Sequence, residues 1–176
     1  IGPAEKADMT VLLIAASLHD IGRNRQDSSN GKICHAREGA KMARPIIDDL
    51  ALSDTQKENI IHCIGTHRFR GNNIPETVEA KVLFDADKID AIGAVGIARA
   101  YLFAGELGAR LHNPDNNIHN ATAYSGNDTG YREYRVKLCK IKKRILTSEG
   151  RKIARDRHDF MVDFFSRSIQ DYEGEI

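Results

Sequence analysis

His19 and Asp20 stand side by side at the end of an apolar run, Val11-Leu12-Leu13-Ile14-Ala15-Ala16-Ser17-Leu18. Ionisable groups are costly to desolvate, so a pair placed there needs compensation, and a bound cation supplies it. Two further histidines, His35 and His67, follow, and then an acidic cluster, Asp85-Ala86-Asp87-Lys88-Ile89-Asp90. Imidazole and carboxylate together suit Mn, Fe, Co, Ni or Zn, whereas Mg prefers oxygen ligands. A metal that performs hydrolysis needs a few such ligands and open positions for water and substrate. Spacing alone does not bring these residues together. Any one of the histidines taken singly is equally well read as a surface residue or a hydrogen-bonded core residue.

The elements that carry them read as helices throughout, with no convincing β-strand. Asp8 is a suitable N-cap for a helix running to about Asp20. Ile21-Gly22-Arg23 ends it, and Asp27-Ser28-Ser29-Asn30-Gly31 reads as a turn-rich loop. Residues 36–50 have helical composition, with Pro45 a kink or the junction of two short helices. Ser53-Asp54-Thr55-Gln56 fits a capping box opening a helix that carries Ile60, Ile61, Ile64 and His67. Asn72-Asn73 marks a loop, and Pro75 is placed to start the next helix, which runs toward Asp87. Residues 91–103 continue helical and are rich in small residues. Residues 105–130 read as one long irregular segment, of a length that is often functional. Tyr134, Leu138, Ile141 and Ile145 then fall at helical spacing. Ala154, His158, Met161, Phe165 and Ile169 do the same in a last helix. The expected fold is all-α, a single domain over 1–176 forming a bundle of about seven helices.

Composition narrows the class. A chain of 176 residues buries roughly 70% of its unfolded surface, so it needs no disulfide staples. Its three cysteines (Cys34, Cys63, Cys139) are odd in number and widely spaced. They read as reduced thiols with packing roles, and the expected location is cytoplasmic. No apolar run approaches the roughly 20 residues that span a bilayer. A net charge of +1 gives no general field for nucleic acid. No nucleic-acid or membrane partner is expected. The basic stretch from Arg135 to Arg157 reads mainly as a solvated helix face, of which one or two residues could reach a phosphate.

The ordered set of motifs resembles the HD superfamily of metal-dependent phosphohydrolases, and within it a bacterial and archaeal hydrolase subgroup. The matching residues are Leu18-His19-Asp20-Ile21-Gly22-Arg23, His35 with Glu38-Gly39-Ala40, residues 60–67 ending at His67, and residues 75–94 through Asp87-Lys88. The stretch 147–154 with Arg157-His158 matches as well. The resemblance implies an HD-domain helical bundle in which His19, Asp20 and Asp87 are metal ligands. Asp87 is chosen within the acidic cluster because the family's ligand directly precedes the basic position held by Lys88. Lys88 would lie against a substrate phosphate; a salt bridge to Asp85 or another nearby carboxylate is its structural alternative. His35 and His67 match positions that bind a second metal in some members and phosphate or water in others. They are therefore candidate catalytic residues and candidate additional ligands. Arg23 is a candidate substrate contact or a surface residue. His62 lies off the face of His67, and His112, His119 and His158 read as loop or packing residues. The family also carries a metal-binding histidine on a helix before the His-Asp pair, and no residue before His19 is a histidine. The expectation is that a native N-terminal helix precedes Ile1; a lost ligand is the other reading.

The resulting expectation is a hydrolase that cleaves a phosphoester or phosphoanhydride, with a nucleotide as substrate, through a metal-activated water. The cofactor is a divalent metal: Mn, Fe, Co, Ni, Zn or Mg. The alternative is a regulatory module that binds a metal or nucleotide without turnover. A purely structural helical domain leaves the ordered ligand set unexplained. Tyr101, Tyr124 and Tyr131 border the long segment as packing residues or stacking groups for a base. Oligomeric state is left open, since the helix from Ala91 and the last helix could pack internally or against a second copy.

Overall fold

A computed structural model describes residues 1–68, 73–113, 118, 122 and 124–175. Among these it contains eight α-helices, one 3₁₀ helix and no strand. The all-α expectation holds. The chain forms two compact units, Ile1–Asp87 with Leu146–Gly150, and Lys88–Ile145 with Arg151–Ile176.

The first unit begins with α1 (Met9–Leu18), capped by the Asp8 side chain, which accepts from the N–H groups of Thr10 and Val11. Next comes α2 (Arg23–Ser28), a helix the sequence did not suggest, which takes in the first two residues of the expected turn-rich loop 27–31 and leaves residues 29–31 as turn. Local i to i+4 and i+3 bonds close this short helix around residues 22–29. Asn30 and Gly31, both at positive φ, stop it. α3 (His35–Asp48) is one helix with Pro45 inside it rather than two. α4 (Asp54–Thr66) opens on the expected capping box of Ser53 and Gln56 and delivers His67 as its C-cap. α5 (Val78–Asp90) starts three residues later than Pro75 suggested. The Thr77 hydroxyl accepts from the Ala80 N–H at 3.1 Å and so supplies the cap. Asn73 lies in non-helical backbone, and Asn72 falls outside the described residues.

Val11, Leu12 and Ala15 of α1 bury against Ala43 and Ile47 of α3, Ile60 and Ile64 of α4, and Ala80, Val82 and Leu83 of α5. Each large aliphatic side chain buried there is worth about 1.5–3 kcal/mol. One polar tie crosses this core edge: Glu79 accepts from the Asp8 backbone N–H at 2.7 Å and from Asn59 Nδ2 at 2.9 Å. A second tie is Asp85, which is fully buried. Its carboxylate accepts from Leu146 N (2.9 Å), Thr147 N (2.7 Å) and Thr147 Oγ1 (2.6 Å). Helices approach closely at Gly22, where a Cβ would sit 2.4 Å from the His35 carbonyl oxygen and 2.7 Å from Gly39 N.

In the second unit, α6 (Gly93–Glu106) is separated from α5 by a break at Ala91-Ile92. Gly93 has φ +80°, and the Arg157 stem lies where its side chain would be. α7 (Gly130–Val136) and the 3₁₀ helix (Leu138–Arg144) replace the single helix that the spacing of Tyr134, Leu138, Ile141 and Ile145 implied. The backbone breaks at Lys137 (φ −134°, ψ −59°), yet all four residues are buried. α8 (Ser148–Glu173) buries Ala154, Met161 and Phe165. Phe165 stacks on Tyr134 at 4.2 Å, with Tyr131 and Tyr101 beside it. Tyr101 and Tyr131 are thus packing residues of this unit. Exposed Tyr124 meets Phe103 edge-on. His112 packs its ring on Tyr131 and Tyr172. His158 is buried, and His119 lies outside the described residues.

Candidate metal centre

Three helix ends meet in the first unit. His19 is the C-cap of α1, Asp20 follows it, His35 opens α3, and His67 caps the end of α4. His35 and His67 are each 1% exposed, and Asp20 is 40% exposed in its side chain, so the group has a closed floor and an open side. The Nε2 atoms of His35 and His67 are 3.0 Å apart. Asp20 Oδ1 lies 3.2 Å from the first and 3.7 Å from the second. His19 Nε2 is 3.7 Å from Asp20 Oδ2, and the His19 ring meets the His67 ring edge-on at 5.1 Å. Asp20, His35 and His67 offer ligand atoms that all lie within 4.8 Å of one another.

The opposite ring nitrogens decide what this group can do. His19 Nδ1 is 2.7 Å from the Ala16 carbonyl, and His67 Nδ1 is 2.7 Å from the Ile64 carbonyl. A carbonyl only accepts, so both Nδ1 atoms carry the proton and both Nε2 atoms present lone pairs. His35 Nδ1 is 3.0 Å from Gln26 Oε1 and is held in the same sense. Histidines that bind metals show this second hydrogen bond almost always.

Electrostatics agree. Burial, with the charges of Arg23, His67 and Arg68, pushes the His35 ring down to about 4 against the pull of Asp20. Burial also lowers His67, although the Ile64 carbonyl and the charges of Asp87 and Asp20 oppose it. Burial would raise the Asp20 carboxyl, but the Arg23 hydrogen bond and the charges of His19, Arg23 and His35 outweigh it and hold it below the usual range. At neutral pH two uncharged rings therefore face each other, lone pair to lone pair, beside a carboxylate. That donor set fits a divalent cation.

Of the acidic cluster, Asp85 is committed to Leu146 and Thr147, and Asp90 is exposed and pairs with Arg99 at 2.8 Å. Asp87 is half-buried on α5, and its charge acts on His67. Lys88 follows it, also half-buried. Arg23 Nη2 reaches both Asp20 oxygens, at 3.0 and 2.9 Å, so its first partner is a site carboxylate. His62 is a structural acceptor for the Glu76 N–H at 3.0 Å. Sequence reasoning missed Gln26 and Arg68. The signal for Gln26 was the Arg23-Gln26 spacing of three, which faces one way once the segment is helical.

The model for the HD domain matches residues 1–92, which hold every residue of this cluster. The chain belongs to the HD superfamily. It is 32% identical to YpgQ of Bacillus subtilis (strain 168), an uncharacterized protein, over 99% of this chain and 78% of YpgQ. The crystal structure of YpgQ in complex with ADP superposes with a TM-score of 0.68 at 27% identity, covering 97% of this chain and 80% of that one. A predicted HD-superfamily hydrolase from an uncultured Thermotogales bacterium gives 0.67 at 26% identity, over 98% of this chain and 73% of that one. An HD-superfamily hydrolase from Bacillus thuringiensis gives 0.74 at 22% identity, over 98% and 79%, and speaks to the fold. Within this HD-superfamily frame no described helix is long and apolar enough to cross a membrane.

Proposed function

We propose that this HD-superfamily chain is a metal-dependent phosphohydrolase that cleaves a phosphoester or phosphoanhydride bond of a nucleotide. The observation that carries the reading is the convergence of the His35 and His67 Nε2 lone pairs on Asp20, with each opposite ring nitrogen already engaged. His19, Asp20, His35, His67 and Asp87 are the residues that would hold the cation. A divalent cation supplies Lewis acidity toward phosphoryl oxygens and makes water a nucleophile near neutral pH.

The chain's own groups do the rest. Arg23 keeps Asp20 ionised and oriented, and its half-exposed guanidinium is open to a phosphate oxygen. Lys88 supplies a point charge for the same phosphate. Whichever of His35 and His67 is not engaged as a ligand takes up a proton at Nε2. The ADP held by YpgQ favours a nucleotide among phosphorylated substrates.

The test is turnover of a panel of nucleoside mono-, di- and triphosphates with Mn²⁺, with products separated by chromatography beside an Asp20→Ala variant. Phosphate or pyrophosphate release that needs the metal and is lost in the variant is the expected result. Stoichiometric metal binding without turnover of any substrate would make the chain a binding module instead.

A further inference from the structure

We infer that Gln26 is a positioning residue whose side-chain oxygen, itself oriented by Arg68, fixes which nitrogen of His35 carries the proton, so that Nε2 faces the metal site as a lone pair. The inference rests on reading that cluster as a metal site. His19 and His67 are held by backbone carbonyls, which have only one possible role. His35 is held by a side-chain amide, which could present either its oxygen or its nitrogen. The choice of end decides the tautomer. An oxygen requires Nδ1–H and leaves Nε2 as a lone pair. An NH₂ group would require the reverse and put a proton on Nε2, in the 3.0 Å gap facing His67.

Arg68 removes the ambiguity. Its Nη1 contacts the same Gln26 atom, and a guanidinium can only donate, so that atom is the oxygen. The same Nη1 also lies 3.3 Å from His35 Nδ1, a longer contact than the 3.0 Å between Nδ1 and Oε1, which is the one that sets the ring. Gln26 Oε1 then accepts from Arg68 and from His35 Nδ1 at 3.0 Å, and it lies 3.5 Å from the His35 backbone N–H. That N–H opens α3, whose N-cap Cys34 makes no side-chain cap bond. Arg68 directly follows His67 in the chain. One amide oxygen therefore ties both buried histidine segments and sets the facing atom of His35.

The test uses the metal-free full chain and three variants. Gln26→Met keeps the shape and removes the acceptor. Gln26→Glu keeps an acceptor that cannot flip. Arg68→Met leaves the amide in place but frees it to turn. Long-range ¹H–¹⁵N spectra of the imidazoles report the tautomer, and calorimetry with Mn²⁺ and Zn²⁺ reports affinity. The expected result is Nδ1–H at His35 in the wild type and in Gln26→Glu, and a shift toward Nε2–H in Gln26→Met and Arg68→Met. Metal affinity should fall about 10- to 100-fold in Gln26→Met, as for other groups that orient a ligand, and recover in Gln26→Glu. An unchanged tautomer and affinity in folded Gln26→Met, or in Arg68→Met if the first does not fold, overturns the inference. A wild-type chain that takes up neither metal overturns the reading beneath it, and the tautomer data then show separately whether Gln26 orients the ring.

Discussion

Two carboxylates two residues apart on α5 have different work. Asp85 is buried and takes three hydrogen bonds from Leu146 and Thr147. Asp87 is half-buried with its charge on His67. Replacing Asp85 by Ala strands buried donors, each costing about 1–3 kcal/mol. It should lower the melting temperature while the metal still binds. Replacing Asp87 by Ala should do the opposite, weakening metal binding with little loss of stability. Asp90→Ala should change neither, because that side chain is exposed on Arg99. Calorimetric metal titration beside thermal unfolding of the three variants checks this; metal loss in Asp85→Ala alone would reassign the ligand. His19-Asp20 was legible in the sequence because apolar helix ends rarely hold such types, whereas His35 and His67 stood out only through the ordered motifs that resemble the HD superfamily. Their second partners were not. Arg23 on Asp20 and Gln26 on His35 depend on α2 being helical, and Asp27-Ser28-Ser29-Asn30-Gly31 has the composition of a turn.

Helix ends, more than helix faces, build this site, so close approach between elements governs it. Gly22 shows this most sharply, since any Cβ there meets the backbone of His35 and Gly39. Gly22→Ala should force α2 and α3 apart, lowering both melting temperature and metal affinity; a fully stable variant with intact binding would show that the contact can relax. Glu79 joins the cap of α1 to α4. Burial would raise its carboxyl, but bonds from Asn59 and the Asp8 N–H outweigh that and hold it below its usual 4.5. With the folded value depressed, its stabilisation is complete above about pH 4.5 and fades as the pH falls through the folded value. Urea unfolding of the wild type and Glu79→Gln should therefore differ most near neutrality and converge in acid; a constant gap would deny the linkage. At this scale periodicity located most helices. It could not separate α7 from the 3₁₀ helix, because Tyr134, Leu138 and Ile141 face the interior on either backbone. Nor could it place the start of α5, which a Thr77 hydroxyl decides and Pro75 does not.

Across the whole molecule, the candidate ligands His19, Asp20, His35, His67 and Asp87 all fall in the first unit, within the span that matches the HD domain. The second unit is organised around Phe165, Tyr134, Tyr131 and Tyr101, and aromatic packing accounts for Tyr101 and Tyr131 at the borders of the long irregular segment, while Tyr124 stays exposed. The central claim is that His35, His67 and Asp20 hold a divalent cation. Anomalous diffraction from crystals grown with saturating Zn²⁺, recorded on both sides of the zinc edge, tests it most directly. The account predicts a peak about 2.0–2.2 Å from an imidazole Nε2 and an Asp20 oxygen, with the His35 and His67 nitrogens moved apart from their 3.0 Å contact. An empty cluster with that contact intact at saturating metal would contradict it.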